Sequence, residues 1–400
     1  MKTYQTVNGV HYKYGFTEEH KEAALRVLNS DSGFIEGPEN RALEKEVANY
    51  CGTKNAVTVS SGTAALHLAL LACGVGSGDE VVTVSNSFNS SADVIMLCGA
   101  RPVFVDIEPV TYNMRNDLVE QKISKKTKVL LVVHFGGHPV DMGSISQIAK
   151  SRDLYVVEDA AQSFGASYNK KRTGGLGDIG VVSFVHHKHV TVFGDGGAAL
   201  TDDEELANKV RLLSNHGRGE VFYAKDSLGV PFHRNEVAGF NYRLSELHAA
   251  LGRVSLKQFI EERTGLKRRW ETAQLYQDAL MDLEFLQLPA TRTWAQHSYL
   301  RYLVLAPDRD RLYAYLMSHG IDVSIHYRVP IHLLPHYAES LGFKKGDFPV
   351  TERYSERTIS LPMCPPGYTK DEVDYVTDGI RGFYKEHPPR TSARMDSKST

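Results

Sequence analysis

Short, unbroken apolar runs recur along the first half of the chain: "NAVTVS", "EVVTVS", "RPVFVDI", "KVLLVVH", "LYVVEDA", "VVSFV" and "GAALT". They lack the polar alternation of a half-exposed strand, so they read as strands covered on both faces. Helical patterns lie between them. "TEEHKEAALRVLNS" is an amphipathic helix with Thr17 as N-cap and Glu18 and Glu19 at its positive end. The next segment breaks at Gly37-Pro38 and runs as a helix to Cys51. "SSGTAALHLAL" turns from a strand into an apolar helix, and "SADVIMLCGA" and "ISQIAKSRD" are helices. Strands interleaved with helices predict an α/β fold with a mostly parallel sheet. The stretch from "HAALG" to "YQDAL" reads as one long charged helix, a linker between domains. Beyond it, "YLRYLVLA" and "DVSIHYRV" read as strands, and "RDRLYAYLMSHG" and "TKDEVDYVTDGIRGFY" as helices. This divides the chain into an N-terminal arm and large domain over 1–255, a smaller α+β domain over 256–385, and a polar tail over 386–400, expected to be disordered.

Composition narrows the partners. The net charge of −2 supplies no global basic field for nucleic acid or an anionic membrane. No apolar stretch reaches membrane-spanning length, and the N-terminus has no apolar leader core, so the default location is cytoplasmic. Cys51, Cys73, Cys98 and Cys364 are far apart, which suggests free thiols and neither a zinc ribbon nor an iron–sulfur cluster.

On a doubly covered parallel sheet, ligands sit at the carboxyl ends of the strands. Gly62 and Thr63 fall where a strand turns into a helix. Unpaired N–H groups there can cradle a phosphate, or Ser/Thr can simply cap the helix. No G-K-[ST] follows, so this is not a Walker loop. Asp159 closes an apolar strand; it is a solvated end, an N-cap, or the partner of a protonated ring nitrogen or a metal. In "SFVHHKHVTVFGDGG", His186, His187 and His189 lack the spacing and neighbouring ligands of a metal site, so no metal is expected. Lys188 follows Ser183 by five residues at a strand end, where desolvation can turn an ammonium into a nucleophile. With the aromatic Phe88, these residues match the needs of pyridoxal 5′-phosphate: a phosphate, a flat ring, a ring nitrogen and an aldehyde. No G-x-G-x-x-G opens a helix after a strand, which excludes a Rossmann dehydrogenase.

In order, "GFIEGP", "SSGTAALHLAL", "SFNSSADVIMLCGARPVFVDI", "VHFGGHPVDM", "VEDAAQSFGASYNKKRTGGLGDIGVVSF", Lys188, "GDGGA", "NHG", "GFNYRLSELHAALG" and "IHYRVPIH" resemble the sugar aminotransferases of the DegT/DnrJ/EryC1/StrS family. The likeness runs from about Thr17 to Tyr384. It implies the aspartate-aminotransferase-like fold with a seven-stranded type of sheet. It also implies that Lys188 forms the internal aldimine and shuttles protons by way of a pyridoxamine intermediate, and that Asp159 pairs with the pyridine nitrogen. Gln162 would face the phenolic oxygen, Phe88 would stack on the ring, and Gly62, Thr63 and Ser183 would hold the phosphate. Asn241 would reach the phosphate from the neighbouring subunit of a homodimer, with Arg243 close by. The implied reaction takes an amino group from glutamate or glutamine to a keto sugar, foremost a nucleotide-linked 3- or 4-keto-6-deoxy sugar. The alternatives are a keto-cyclitol acceptor, a sugar dehydratase, and a non-catalytic protein on this fold. Dehydratase relatives carry histidine in place of the lysine, and Lys188 departs from that pattern; the iron–sulfur relatives need clustered cysteines. Val185, His186 and His187 stand where relatives have small or polar residues and often proline.

Overall fold

The structure is a computed structural model that describes residues 15–31, 33–225, 228–261, 265–363 and 368–389. Most of the arm, most of the expected disordered tail and Cys364 lie outside these residues. The helices are α1 (Glu18–Leu28), α2 (Pro38–Cys51), α3 (Gly62–Ala72), α4 (Ser90–Leu97), α5 (Val119–Lys122), α6 (Met142–Arg152), α7 (Glu204–Ser214), α8 (Glu246–Ile260), α9 (Leu266–Leu280), α10 (Arg309–Ser318), α11 (Pro335–Leu341), α12 (Pro349–Arg357) and α13 (Lys370–Glu386). The strands before the lysine loop are β1 (Asn55–Val59), β2 (Glu80–Val84), β3 (Arg101–Val105), β4 (Thr127–Val133), β5 (Tyr155–Asp159), the short β6 (Ser167–Tyr168) and β7 (Lys171–Arg172), and β8 (Ile179–Ser183). After the loop come β9 (Gly197–Thr201), the hairpin β10 (Arg218–Lys225) and β11 (Pro231–Asn235), β12 (Ala295–Gln296), β13 (Tyr302–Leu305) and β14 (Thr358–Leu361).

The seven strand-like runs of the first half form one seven-stranded sheet in the order β1-β9-β8-β5-β4-β2-β3. Only β9 runs antiparallel to its neighbours. The remaining six are parallel, so β1, β2, β4, β5 and β8 deliver their carboxyl ends to one edge. Val57, Val82, Leu131, Val157 and Val181 are buried, as continuous apolar strands between two helical layers require. In α3 every residue except Thr63 and Leu71 is buried, which explains why its sequence is apolar on all sides.

A second core gathers Ala273, Tyr276 and Leu280 of α9, Val304 of β13, Leu312 and Leu316 of α10, Ile359 of β14 and Val376 and Ile380 of α13. The expected long helix is therefore two. Leu256 and Phe259 of α8 pack with Val182 and Phe184 beside the main sheet, whereas α9 serves the second core. Gly265, with extended backbone, starts α9 afresh. Position 255 lies inside α8. "DVSIHYRV" is not a strand: β13 pairs with β14 instead, and within that run only Ser324 bridges to Ser360. The chain between α10 and β14 also returns to the large unit, where Ile331, Tyr337 and Phe348 pack with Ala92 and Phe104. Among the described residues, no helix is long and apolar enough to cross a membrane.

Candidate active site

A cavity of about 500 Å³ opens at the carboxyl edge of the sheet. It brings together seven of the eight residues singled out from the sequence: Gly62 and Thr63 after β1, Phe88 after β2, Asp159 and Gln162 at the end of β5, and Ser183 and Lys188 at the end of β8.

Ser61 caps α3 by accepting a hydrogen bond from Ala64 N (3.0 Å). The other first-turn N–H groups have no acceptor within the helix, and the positive end of the helix dipole faces the cavity wall. Gly62 is required here: a Cβ would fall 2.9 Å from Cβ of Ser183. The absent side chain lets α3 and β8 converge into one anion-sized cradle.

Asp159 is 5% exposed. Its Oδ1 accepts from Ala161 N (3.1 Å) and its Oδ2 from Ser91 Oγ (3.2 Å), and Ser91 is bonded in turn to Ser87 Oγ (2.8 Å). Burial pushes its carboxyl above the usual range, and the charge of Lys188 acts in the opposite direction. Beneath it, His134 accepts at Nδ1 from Val140 N (3.0 Å), so its Nε2 proton points to Glu158 Oε2 (2.9 Å). Glu158 also accepts from Gly174 N and Gly177 N, which ties β5 to the turn before β8.

Lys188 lies on a turn closed by its own N–H to Val185 O (2.9 Å). The loop is pinned where Phe184 N donates to Gly196 O and Val192 N to Phe184 O. The Lys188 amine is lowered to about 8, first by burial and then by the charge of Arg301, with Asp159 opposing. An amine so shifted is partly neutral near physiological pH and so available as nucleophile and base. Gln162 is held by Gly136 N donating to its Oε1 (3.1 Å). Phe88 is 55% exposed and presents its ring at the cavity, 6.3 Å from that of Tyr327.

Asn241 is not at this cavity. Its Oδ1 accepts from Arg243 Nη2 (2.9 Å), and Arg243 also donates to Asn215 Oδ1 (3.1 Å). This segment runs along the outer edge of β1, where Arg243 bridges to Val59. Of the loop histidines, His186 and His187 line the cavity. His189 turns into the core toward Ser298 O (3.2 Å) and Phe259. Among the described residues, no group of three or more His, Cys, Asp or Glu is arranged to hold a metal ion.

Three further residues at the cavity come from the second half of the chain: Arg301, His326 and Tyr327. Arg301 had a sequence signal, a lone charge inside the apolar run "YLRYLVLA". For His326 and Tyr327 the signal was masked, because "DVSIHYRV" alternates like a strand.

The residues present fit pyridoxal 5′-phosphate. A glycine-lined helix start suits its phosphate, the exposed face of Phe88 a flat ring, and the raised buried carboxyl of Asp159 a ring N–H. The lowered amine of Lys188 suits a carbonyl carbon, and the cavity has the size of a small-cofactor site.

The chain is 37% identical to dTDP-3-amino-3,4,6-trideoxy-alpha-D-glucose transaminase of Streptomyces venezuelae over 363 residues, 91% of each chain. Its fold is similar to the crystal structure of DesV from S. venezuelae in complex with a ketimine intermediate, with a TM-score of 0.85 and 35% identity over 92% of this chain and 95% of that one. It is similar also to the pyridoxal-phosphate form of the putative sugar aminotransferase Spr1654 from Streptococcus pneumoniae, with a TM-score of 0.86 and 26% identity over 95% and 99% of the two chains. The sequence profile of the DegT/DnrJ/EryC1/StrS aminotransferase family matches residues 16–381. With a match over nearly the whole chain in sequence and in fold, the protein belongs to the DegT/DnrJ/EryC1/StrS aminotransferase family.

Proposed function

We propose that this sugar aminotransferase takes the amino group of L-glutamate, or of glutamine, and delivers it to a nucleotide-linked 3- or 4-keto-6-deoxy sugar. The coarser function needs no proposal: the chain is a pyridoxal 5′-phosphate-dependent sugar aminotransferase. The acceptor class is supported by the likeness to a dTDP-3-amino-3,4,6-trideoxy-alpha-D-glucose transaminase, and the amino-transfer chemistry by the convergence of Lys188, with its amine lowered to about 8, and the buried Asp159 on one cavity with the start of α3. When bound, the cofactor supplies an electron sink for the carbanion formed at the substrate carbon.

In this reading the α3 start and Ser183 bind the phosphate, and Phe88 and Gln162 orient the ring. Asp159 holds the proton on the ring nitrogen. Lys188 Nζ takes the Cα proton from the donor and returns a proton to the sugar carbon that receives nitrogen. The balance is amino acid plus keto sugar to 2-oxo acid plus amino sugar. Asn241 and Arg243, on the segment bridged to β1 and away from their own chain's cavity, support a site completed by a second copy in a homodimer.

The test is the absorption spectrum of the holoenzyme on addition of L-glutamate, followed by dTDP-linked 3- and 4-keto-6-deoxy sugars with mass analysis of the product. The expected result is a shift of the visible band with release of 2-oxoglutarate, then an amino sugar. Lys188→Ala should give neither. A wild-type band that L-glutamate and L-glutamine leave unchanged would refute the donor, and an unmodified keto sugar the acceptor.

A further inference from the structure

Arg301 stands immediately before β13, and its backbone N–H donates to Gly136 O (3.2 Å). Gly136 has φ +63, a left-handed conformation suited to glycine, and its own N–H holds Gln162. Arg301 is thereby fixed at the Gln162 side of the Lys188 cavity.

Its side chain is 7% exposed and lines that cavity. Other buried arginines are tied down by side-chain bonds. Arg309 donates to Asp310 Oδ1 (2.7 Å) and Thr358 O (2.8 Å), and Arg269 donates to Tyr299 O and Met363 O (both 3.0 Å). Arg301 has no side-chain hydrogen bond to any described residue, and its buried Nε is unsatisfied. The charged and titratable groups that interact with it among the described residues are Tyr327, Tyr354, Arg269, Lys188, His189 and His326; no carboxylate is among them. A guanidinium withdrawn from water without a counter-charge is costly to keep, and its fixed fork of donors matches a planar carboxylate. The phosphate cradle is built from other elements, the start of α3 and the end of β8. Arg301 instead lines the cavity together with Lys188, Asp159 and Gln162, at its reacting end.

We propose that Arg301 is the carboxylate anchor of the substrate subsite: its guanidinium receives the α-carboxylate of the amino donor and so sets the donor Cα within reach of Lys188 Nζ. This rests on the aminotransferase reading above and names the residue that recognises the donor. The anchor also neutralises the guanidinium at the moment the site is used, and it explains why a buried charge in "YLRYLVLA" makes no side-chain hydrogen bond to a described residue.

The experiment compares wild-type, Arg301→Gln and Arg301→Lys holoenzymes. Calorimetry measures binding of α-methyl-L-glutamate, which has no Cα hydrogen to lose, and of its α-carboxamide counterpart. Thermal unfolding of each variant is recorded alongside. Arg301→Gln should weaken the acid by about 100-fold, the scale of a lost desolvated charge pair. Arg301→Lys should weaken it by about 10-fold, because charge remains and the fork is lost. The carboxamide should bind wild type and Arg301→Gln alike, a ligand-side control that a merely structural role would not reproduce. Melting temperatures should not fall, since no internal bond is removed.

Acid and amide penalised equally, or a loss on the acid below about threefold, would overturn the anchor. So would an effect of Arg301→Gln confined to a sugar acceptor that carries its own carboxylate, with donor binding intact. A wild-type enzyme that binds neither analogue refutes the glutamate-donor reading itself. A wild type that binds the acid no better than Arg301→Gln refutes Arg301 alone.

Discussion

Lys188→Met should stabilise the cofactor-free protein near neutral pH. The substitution keeps the length and apolar stem of the side chain and removes only the ammonium. The unfolded amine titrates near its ordinary 10.5, and the folded amine at about 8. At ~1.36 kcal/mol per pH unit between these values, holding the charged amine in the cavity costs about 3 kcal/mol at neutral pH. The favourable pull of the Asp159 charge is already contained in the folded value, so the expected gain is up to about 3 kcal/mol. The sign follows from proton counts. Between 8 and 10.5 the unfolded wild-type chain holds a proton that the folded chain has released, so wild-type stability rises with pH across that window. The variant lacks this group, and its advantage should be full below about 8 and narrow steadily above it. Urea unfolding of both proteins, freed of cofactor and measured across this range, reads the effect directly. A variant less stable than wild type at neutral pH, or a gap that does not change with pH, would refute the claim that the cavity destabilises the lysine charge.

Two further outcomes test the site. Gly62→Ala places a Cβ 2.9 Å from that of Ser183 and should push α3 and β8 apart, raising the dissociation constant for pyridoxal 5′-phosphate by about 10-fold in a fluorescence titration. If the proposed homodimer shares its sites, Lys188→Ala and Asn241→Ala proteins, each impaired alone, should regain activity when unfolded and refolded as a mixture, because a mixed dimer would hold one site with both residues intact; no recovery would mean that Asn241 serves its own chain or none.

The site was legible in the sequence wherever chemistry follows a strand end directly. Gly62, Asp159, Ser183 and Lys188 each stand at or just beyond an apolar run, and strand polarity carries all of them to the same edge once the sheet is parallel. The second half of the chain read less well. "DVSIHYRV" has the alternation of a strand, but β13 takes β14 as its partner, and His326 and Tyr327 turn to the cavity. One continuous helix was expected where α8 and α9 serve different cores. Periodicity reports which residues are apolar, not which core receives them.

The sequence by itself determined the fold class, because doubly buried strands and all-apolar helices must have that composition wherever they pack. It also determined the chemical repertoire, a lysine, a carboxylate and a helix-start glycine, since those are properties of single residues in local context. Only the tertiary structure decided that Arg301 would share a cavity with Lys188 across more than a hundred residues of chain, tied to the turn at Gly136 and, among the described residues, without a carboxylate partner. The physical reason is that a side chain's pKa and unmet hydrogen-bonding capacity are set by what long-range packing brings beside it and by how much water it excludes.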